Sequence, residues 1–237
     1  AQGNVKKTSM EQYDRPRRDG LIAINLRDGD ELISVKRVAK GGKVIMVSSA
    51  GKAILWDESE ARAMGRGTMG VRGMNVPADA HVLGMEIAKP GTDLFVITEK
   101  GYGKRTKIEE YPEHHRGGQG VYTITMTHKT GLLSVMKIVG PDDEIMIVSE
   151  DGVIVRTPVK GISELGRSTQ GVKVMNVADK DKVCAVAIAS TGKKKAKKAA
   201  PADENQMGLL GEESEEGTLA IDDLDDDLGH ETEETEE

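Results

Sequence analysis

The sequence predicts an all-β, propeller-like domain built from about four repeated units, and three features support this prediction. Two glycines recur about every fifty residues, which is a period typical of blade or solenoid repeats. Alternating runs rich in β-branched residues lie between turn signals, as expected for strands. The polar segments between these runs are too short for stable helices. Such units favour a disc in which radial repetition leaves only short sheet edges exposed.

Two landmark glycines define each unit. The first precedes a short run of β-branched and basic residues and recurs as Gly3, Gly51, Gly101 and Gly152. The second recurs as Gly20, Gly70, Gly120 and Gly171. In the last three units an arginine stands shortly before the second glycine. Blades are therefore expected at about 1–50, 51–100, 101–151 and 152–191.

Most units are expected to contain four strands. In the first unit the alternating runs predict strands at 21–26, 31–35 and 44–48. The second strand of each later unit is expected at 71–76, 121–127 and 172–177. The fourth unit shows only three strand-like runs, so its fourth strand is missing or is supplied from elsewhere.

The last fifth of the chain has a different composition. Residues 193–198 read KKKAKK, and residues 203–237 contain 16 Asp and Glu but no Lys or Arg. Because such a segment cannot bury enough apolar surface to fold, we expect a Lys/Ala-rich linker at 192–202 and a disordered acidic tail at 203–237. The net charge of −7 therefore reflects the tail, and the body is expected to be positive.

The sequence offers little to suggest catalysis, metal binding or membrane insertion. Cys184 lies in the apolar run VCAVAIA and is expected to be a small buried residue. His114 and His115 lack a third ligand nearby, so neither a metal site nor a cofactor is predicted. No apolar run approaches the roughly 18 residues of a membrane helix, and no signal peptide is evident. We therefore expect a soluble, cytoplasmic protein, and a chain that begins at Ala1 within a repeat suggests a fragment.

Several blocks resemble the C-terminal domain of the DNA gyrase A protein. They are GNVKKT at 3–8, DGDELISVKRV at 28–38, the stretch at 48–76, KGYGKRTKIEEYP at 100–112 and GRSTQGVKVMNV at 166–177. The resemblance covers roughly residues 1–190 in order. It implies a β-pinwheel, a disc of about six four-stranded blades that wraps duplex DNA around a basic rim, of which about four blades are present here.

The resemblance also implies a function and partners. The chain would be a non-catalytic module that supports ATP-dependent negative supercoiling by a type II topoisomerase of the bacterial nucleoid. Its partners would be duplex DNA, the remainder of the gyrase A subunit, and the gyrase B subunit in an A2B2 holoenzyme. The family's basic heptapeptide is absent, because the nearest segment, HHRGGQG at 114–120, lacks both flanking basic positions. No tyrosine follows an arginine, as the cleavage tyrosine of the family does.

Repeated basic positions independently predict contacts with a phosphate backbone, since a protein that only bends duplex DNA needs cations at intervals and no base readout. One set follows the first glycine and comprises Lys6, Lys7, Lys52, Lys104, Arg105 and Arg156. The other set lies in the loops before the second glycine and comprises Arg17, Arg18, Arg66, Arg116 and Arg167. The neighbouring glycines would let the backbone approach and offer amide donors.

Two alternatives to this interpretation remain open. The C-terminal domain of topoisomerase IV is expected to share the fold, and a propeller that serves as a protein-interaction scaffold would also explain the repeat. A scaffold of that kind predicts repeated Trp-Asp pairs, whereas Trp56-Asp57 occurs once and Trp56 is expected to pack between blades. The acidic tail would either compete with DNA for the basic rim or only increase solubility.

Overall fold

The computed structural model describes residues 1–15 and 18–189, which belong to a single compact unit. Arg17, the predicted linker and the predicted acidic tail lie outside the described residues. No helix in the described part is long and apolar enough to cross a membrane.

The described residues form short antiparallel strands joined by turns, and the all-β prediction is confirmed. The strands are β1 (Asn4–Val5), β2 (Lys43–Ser48), β3 (Lys52–Asp57), β4 (Val71–Arg72), β5 (Val82–Ala88), β6 (Asp93–Thr98), β7 (Tyr102–Lys107), β8 (Val121–Tyr122), β9 (Leu133–Val139), β10 (Glu144–Ser149), β11 (Ile154–Pro158), β12 (Val172–Lys173) and β13 (Val183–Ala189). Single 3-10 turns occupy Met10–Tyr13, Glu58–Glu60, Ile108–Glu110 and Val159–Gly161.

The sheets are offset from the sequence repeats. Two four-stranded sheets have the orders β5-β2-β3-β8 and β12-β7-β6-β9, a three-stranded sheet has the order β11-β10-β13, and β1 pairs with β4. Each four-stranded sheet thus takes strands from three consecutive repeats. The period of the repeat is marked by the expected blades at 1–50, 51–100, 101–151 and 152–191. The boundaries between them fall inside tight hairpins such as β2–β3, whose strands pair because they are neighbours in the sequence.

Two strands predicted in the first repeat do not form. Residues 21–26 and 31–35 have no strand pairing, although their alternation is strand-like. In later repeats the third strand pairs with the last strand of the preceding repeat, as β5 does with β2. The described residues contain no such strand before the first repeat, so Leu32 and Val35 stay 52% and 76% exposed. The predictions at 71–76, 121–127 and 172–177 were too long, since β4, β8 and β12 contain two residues each.

The core lies in layers between successive sheets. Val44, Met46 and Trp56 belong to one buried cluster, and Ile45 and Val47 belong to the next. Because successive side chains of a strand point to opposite faces, β2 contributes to two layers and reads as a continuous apolar run. Trp56 is buried as predicted.

Cys184 is exposed, so the prediction that it is buried was wrong. Ser149 pairs with Val183 while Val148 pairs with Ala185, which leaves Cys184 as the extra residue of a β-bulge. The same irregularity recurs in β5 and β9. A bulge interrupts the alternation of faces, and Val183 and Val186 take the buried positions instead.

Candidate nucleic-acid interface

Consecutive repeats are joined by short strand pairs, which we call the junctions. The strand after the first glycine of one repeat pairs with the two-residue strand after the second glycine of the next. The facing residues are Asn4 and Arg72 at the first junction, Lys52 and Tyr122 at the second, and Tyr102 and Lys173 at the third. Arg72, Tyr122 and Lys173 are exposed, so each junction presents a polar or charged pair to solvent.

The second glycine lets each junction close. Gly120 has a φ of +71°, and a Cβ atom added there would lie 2.2 Å from Ala53 O. A side chain at this position would therefore be strained and would also collide with the strand of the preceding repeat. This close approach places the loop that carries Arg116 directly on the neighbouring repeat.

The loop arginines Arg66 and Arg167 retain uncompensated charge. Within residues 1–15 and 18–189, neither guanidinium group makes a hydrogen bond or an ion pair. Both side chains are half-buried. They stand at equivalent positions of the second and fourth repeats, four residues before the second glycine.

Arg116, the equivalent residue of the third repeat, is anchored. Its Nε donates to Glu60 O at 2.9 Å and its Nη1 donates to Arg72 O at 2.9 Å. Its backbone amide donates to Glu60 Oε2 at 2.7 Å and holds the pKa of that carboxyl below its usual range. Arg116 therefore joins two repeats in addition to carrying charge.

Lys104 was expected on the rim, and the structure places it inside. Its side chain is fully buried, with a relative exposure of 0%, and Nζ donates to Gly166 O at 2.5 Å, Arg167 O at 2.6 Å and Thr169 Oγ1 at 3.0 Å. Burial lowers its pKa to about 8. Lys104 therefore holds the loop of Arg167 in place and cannot reach a phosphate group.

Lys6 occupies the equivalent position in the first repeat and acts similarly. Its Nζ donates to Ala23 O and, at 2.6 Å, to Arg66 O. Partial burial and the charge of Arg66 lower the pKa of Lys6. Unlike Lys104, Lys6 remains half-exposed.

Three further cations of the predicted set face carboxylates. Lys7 pairs with Glu58 at 2.5 Å, Arg105 pairs with Asp93 at 2.5 Å and with Glu164 at 2.8 Å, and Arg156 pairs with Glu144. An ion pair compensates most of the charge that would attract a phosphate. These residues thus provide less free positive charge than their positions in the sequence indicated.

Lys52 and Arg18 remain at the surface. Lys52 Nζ donates to Gln119 Oε1 at 3.0 Å and lies 5.1 Å from the centre of the Tyr122 ring. Arg18 is exposed, and its predicted companion Arg17 lies outside the described residues.

Sequence reasoning missed the cations of the junction strands. Arg72 and Lys173 stand two places after the second glycine, and this constant spacing could have identified them. Lys100 and Lys129 approach the third junction from other loops, which no local pattern indicated. In the described part of the chain, no group of three or more His, Cys, Asp or Glu side chains could hold a metal ion.

Strands exchanged between glycine-marked repeats, with a cation at each junction, define a propeller-like repeat domain. The chain belongs to the DNA gyrase C-terminal domain family of β-propellers, whose profile matches residues 1–39, 42–89, 92–127 and 143–190. The resemblance inferred from the sequence is therefore confirmed.

Curated relatives agree with this family. The chain is 41% identical over 183 residues to the DNA gyrase A protein of Salmonella typhimurium, a match that covers 77% of this chain and 21% of that protein. It is 35% identical over 236 residues to the DNA gyrase A protein of Klebsiella oxytoca, a match that covers 98% of this chain and 26% of that protein. The chain thus spans about a fifth to a quarter of the length of these relatives.

Solved structures show the same fold. A DNA gyrase A C-terminal domain matches with a TM-score of 0.71 and 30% identity, covering 79% of this chain and 63% of that chain. The C-terminal domain of a DNA topoisomerase IV matches with a TM-score of 0.74 and 25% identity, covering 78% of this chain and 58% of that chain. The two folds fit comparably, so the topoisomerase IV alternative is no better supported, and the higher identity favours gyrase.

Proposed function

We propose that this chain binds and bends duplex DNA as a non-catalytic part of a gyrase A protein. The observation that carries the proposal is the pair of uncompensated loop arginines, Arg66 and Arg167, at equivalent positions of a gyrase-family repeat. Cations placed at intervals along a repeat can follow a line of phosphates. Contacts of this kind go to the phosphate backbone, so they would position DNA without reading its sequence.

The proposal extends to the holoenzyme. The matched relatives are gyrase A proteins, and this chain corresponds to only part of their length. We therefore place the chain beside the remainder of a gyrase A subunit, together with a gyrase B subunit, in a bacterial cytoplasm. Its contribution there would be to wrap DNA for ATP-dependent negative supercoiling.

Binding of duplex DNA by the full 237-residue chain is expected to depend steeply on salt. If about five phosphates are neutralised, a fourfold increase in salt should weaken binding by roughly two to three orders of magnitude. Fluorescence anisotropy with two labelled duplexes of unrelated sequence measures this dependence. Affinities that are flat in salt, or that differ strongly between the duplexes, would contradict the proposal.

Replacement of Arg66 and Arg167 is expected to weaken DNA binding without lowering the stability of the fold. R66A/R167A should weaken DNA binding at low salt by roughly tenfold or more and leave the unfolding temperature nearly unchanged, because neither guanidinium group has a partner among residues 1–15 and 18–189. R116A should also lower the unfolding temperature, since two backbone carbonyls lose their donor. Thermal unfolding and anisotropy of the three proteins test this contrast. A large loss of stability in R66A/R167A would show that those residues are structural.

A further inference from the structure

Two lysines lie over one tyrosine ring at the third junction, and a third lysine adjoins them. The Nζ atoms of Lys173 and Lys129 lie 4.8 and 5.6 Å from the centre of the Tyr102 ring. Lys173 Nζ also donates to Lys100 O at 3.2 Å, and Lys100 Nζ donates to His128 O at 2.7 Å. We call Lys100, Tyr102, Lys129 and Lys173 the lysine cluster.

The fold brings the cluster together from three separate segments. Lys100 and Tyr102 lie at the β6–β7 hairpin, and Lys173 faces Tyr102 across the pairing of β7 with β12. Lys129 stands in the turn after β8. Thr130, which is fully buried, accepts a hydrogen bond at Oγ1 from the Thr127 amide at 2.9 Å, and this bond closes the turn.

The charge of the cluster is not compensated. Among the ion pairs of the described residues, none includes Lys100, Lys129 or Lys173. Glu99, which adjoins Lys100 in the chain, is paired with Lys182 at 3.3 Å. Each facing pair contains one cation, Arg72, Lys52 or Lys173, and Arg116 adds a second cation at the first junction through its bond to Arg72 O. Lys100 and Lys129 bring the third junction to three cations, none of which belongs to an ion pair of the described residues.

The surroundings suit a phosphate group better than a base. Two ammonium groups already cover the Tyr102 ring, so the ring holds the lysines at the surface by cation–π contacts and offers little face for stacking. A groove of about 430 Å³ adjoins the cluster at Lys100 only, and its lining includes Thr127, His128 and Glu99. Lys182 offsets the charge of Glu99. Lysine is a compact point charge with three donors, which matches a phosphate oxygen.

We propose that the lysine cluster is the strongest phosphate-binding site of the domain and takes the backbone of duplex DNA. This inference rests on the proposed function and adds the claim that binding is uneven along the repeats. The third junction would anchor the DNA, while the first two junctions, with fewer cations, would guide it.

The test compares two double variants of the full chain that change the net charge equally. K129A/K173A removes two cluster lysines, and K40A/K180A removes two exposed lysines from turns elsewhere. We expect K129A/K173A to weaken duplex binding by roughly tenfold to fiftyfold at about 0.1 M salt, and to lower the slope of log K against log salt by about two. K40A/K180A should stay within about threefold of the unsubstituted chain. K129R/K173R keeps the charges and should bind like the unsubstituted chain.

Each outcome bears on a different claim. If the unsubstituted chain binds duplex DNA and the two alanine variants lose equal affinity, net charge explains the loss and the cluster proposal is overturned. Failure of the unsubstituted chain to bind overturns both proposals. If Y102L weakens binding of single-stranded DNA more than binding of duplex DNA, Tyr102 stacks on bases and the phosphate assignment is wrong.

Discussion

Replacement of Gly101 by alanine is expected to lower the free energy of unfolding by about 3 kcal/mol or more, which corresponds to roughly 6–12 °C in the unfolding temperature. Gly101 has a φ of +77°, and a Cβ atom there would lie 2.2 Å from Met175 O in the next repeat. Strain of about 1–2 kcal/mol from the left-handed conformation is therefore added to a collision with backbone. Urea denaturation of G101A measures the loss.

Gly152 provides a matched control for this substitution. It is the same landmark glycine in the fourth repeat, with a φ of +84°, but no heavy atom lies within 4 Å of the position of its Cβ. G152A should therefore show only the conformational cost of about 1–2 kcal/mol. Equal losses in G101A and G152A would mean that the close approach of Met175 O to Gly101 adds no cost.

Replacement of Lys104 by methionine is expected to lower the free energy of unfolding by about 2–4 kcal/mol at pH 7, since three partly buried acceptors would lose their donor. Methionine fills the space of the lysine stem, so the loss reports on the contacts of Nζ with Gly166 O, Arg167 O and Thr169 Oγ1. K6M is the matched control, because Lys6 is half-exposed and water can replace its contacts. A loss in K6M as large as that in K104M would contradict the role of burial.

The Lys104 substitution also predicts a dependence on pH. Burial lowers the pKa of Lys104 from 10.5 to about 8 in the folded protein. Between these values the unfolded chain binds more protons at this site, so the free energy of unfolding should rise with pH above about 8. K104M should lack this rise. Burial raises the pKa of Tyr111 to about 12 in the folded protein, so the comparison with K104M is made below the ordinary pKa of tyrosine, 10.0. If the free energy of unfolding depends on pH in the same way in K104M and in the unsubstituted chain, the lowered pKa of Lys104 is contradicted.

The sequence predicted those parts of the fold that depend on neighbours in the chain. The run predicted at 44–48 corresponds to β2, since a short apolar run bounded by turn signals encodes a strand locally. The failures at 21–26 and 31–35 have the opposite cause. A strand pattern needs a partner strand, and partners in this fold come from the neighbouring repeat.

The site was less predictable than the fold. Among the basic residues chosen from the repeat, Arg66, Arg167, Lys52 and Arg18 keep charge at the surface, whereas Lys104 is buried. Lys7 and Arg105 pair with Glu58 and Glu164, each more than 50 residues away. No periodic pattern reports whether a distant carboxylate or carbonyl faces a given cation.

By itself, the sequence determined that this protein is a glycine-marked, all-β repeat, because turns and strand-like runs are encoded by short stretches. Separate sequence blocks carried its resemblance to the gyrase family. Only the tertiary structure decided that strands are exchanged between repeats and that Cys184 occupies a bulge. It also decided which cations are free and that Lys100, Lys129 and Lys173 meet at Tyr102. These features arise from contacts between segments that are distant in the chain, where burial and ion pairing set the charge that each residue presents.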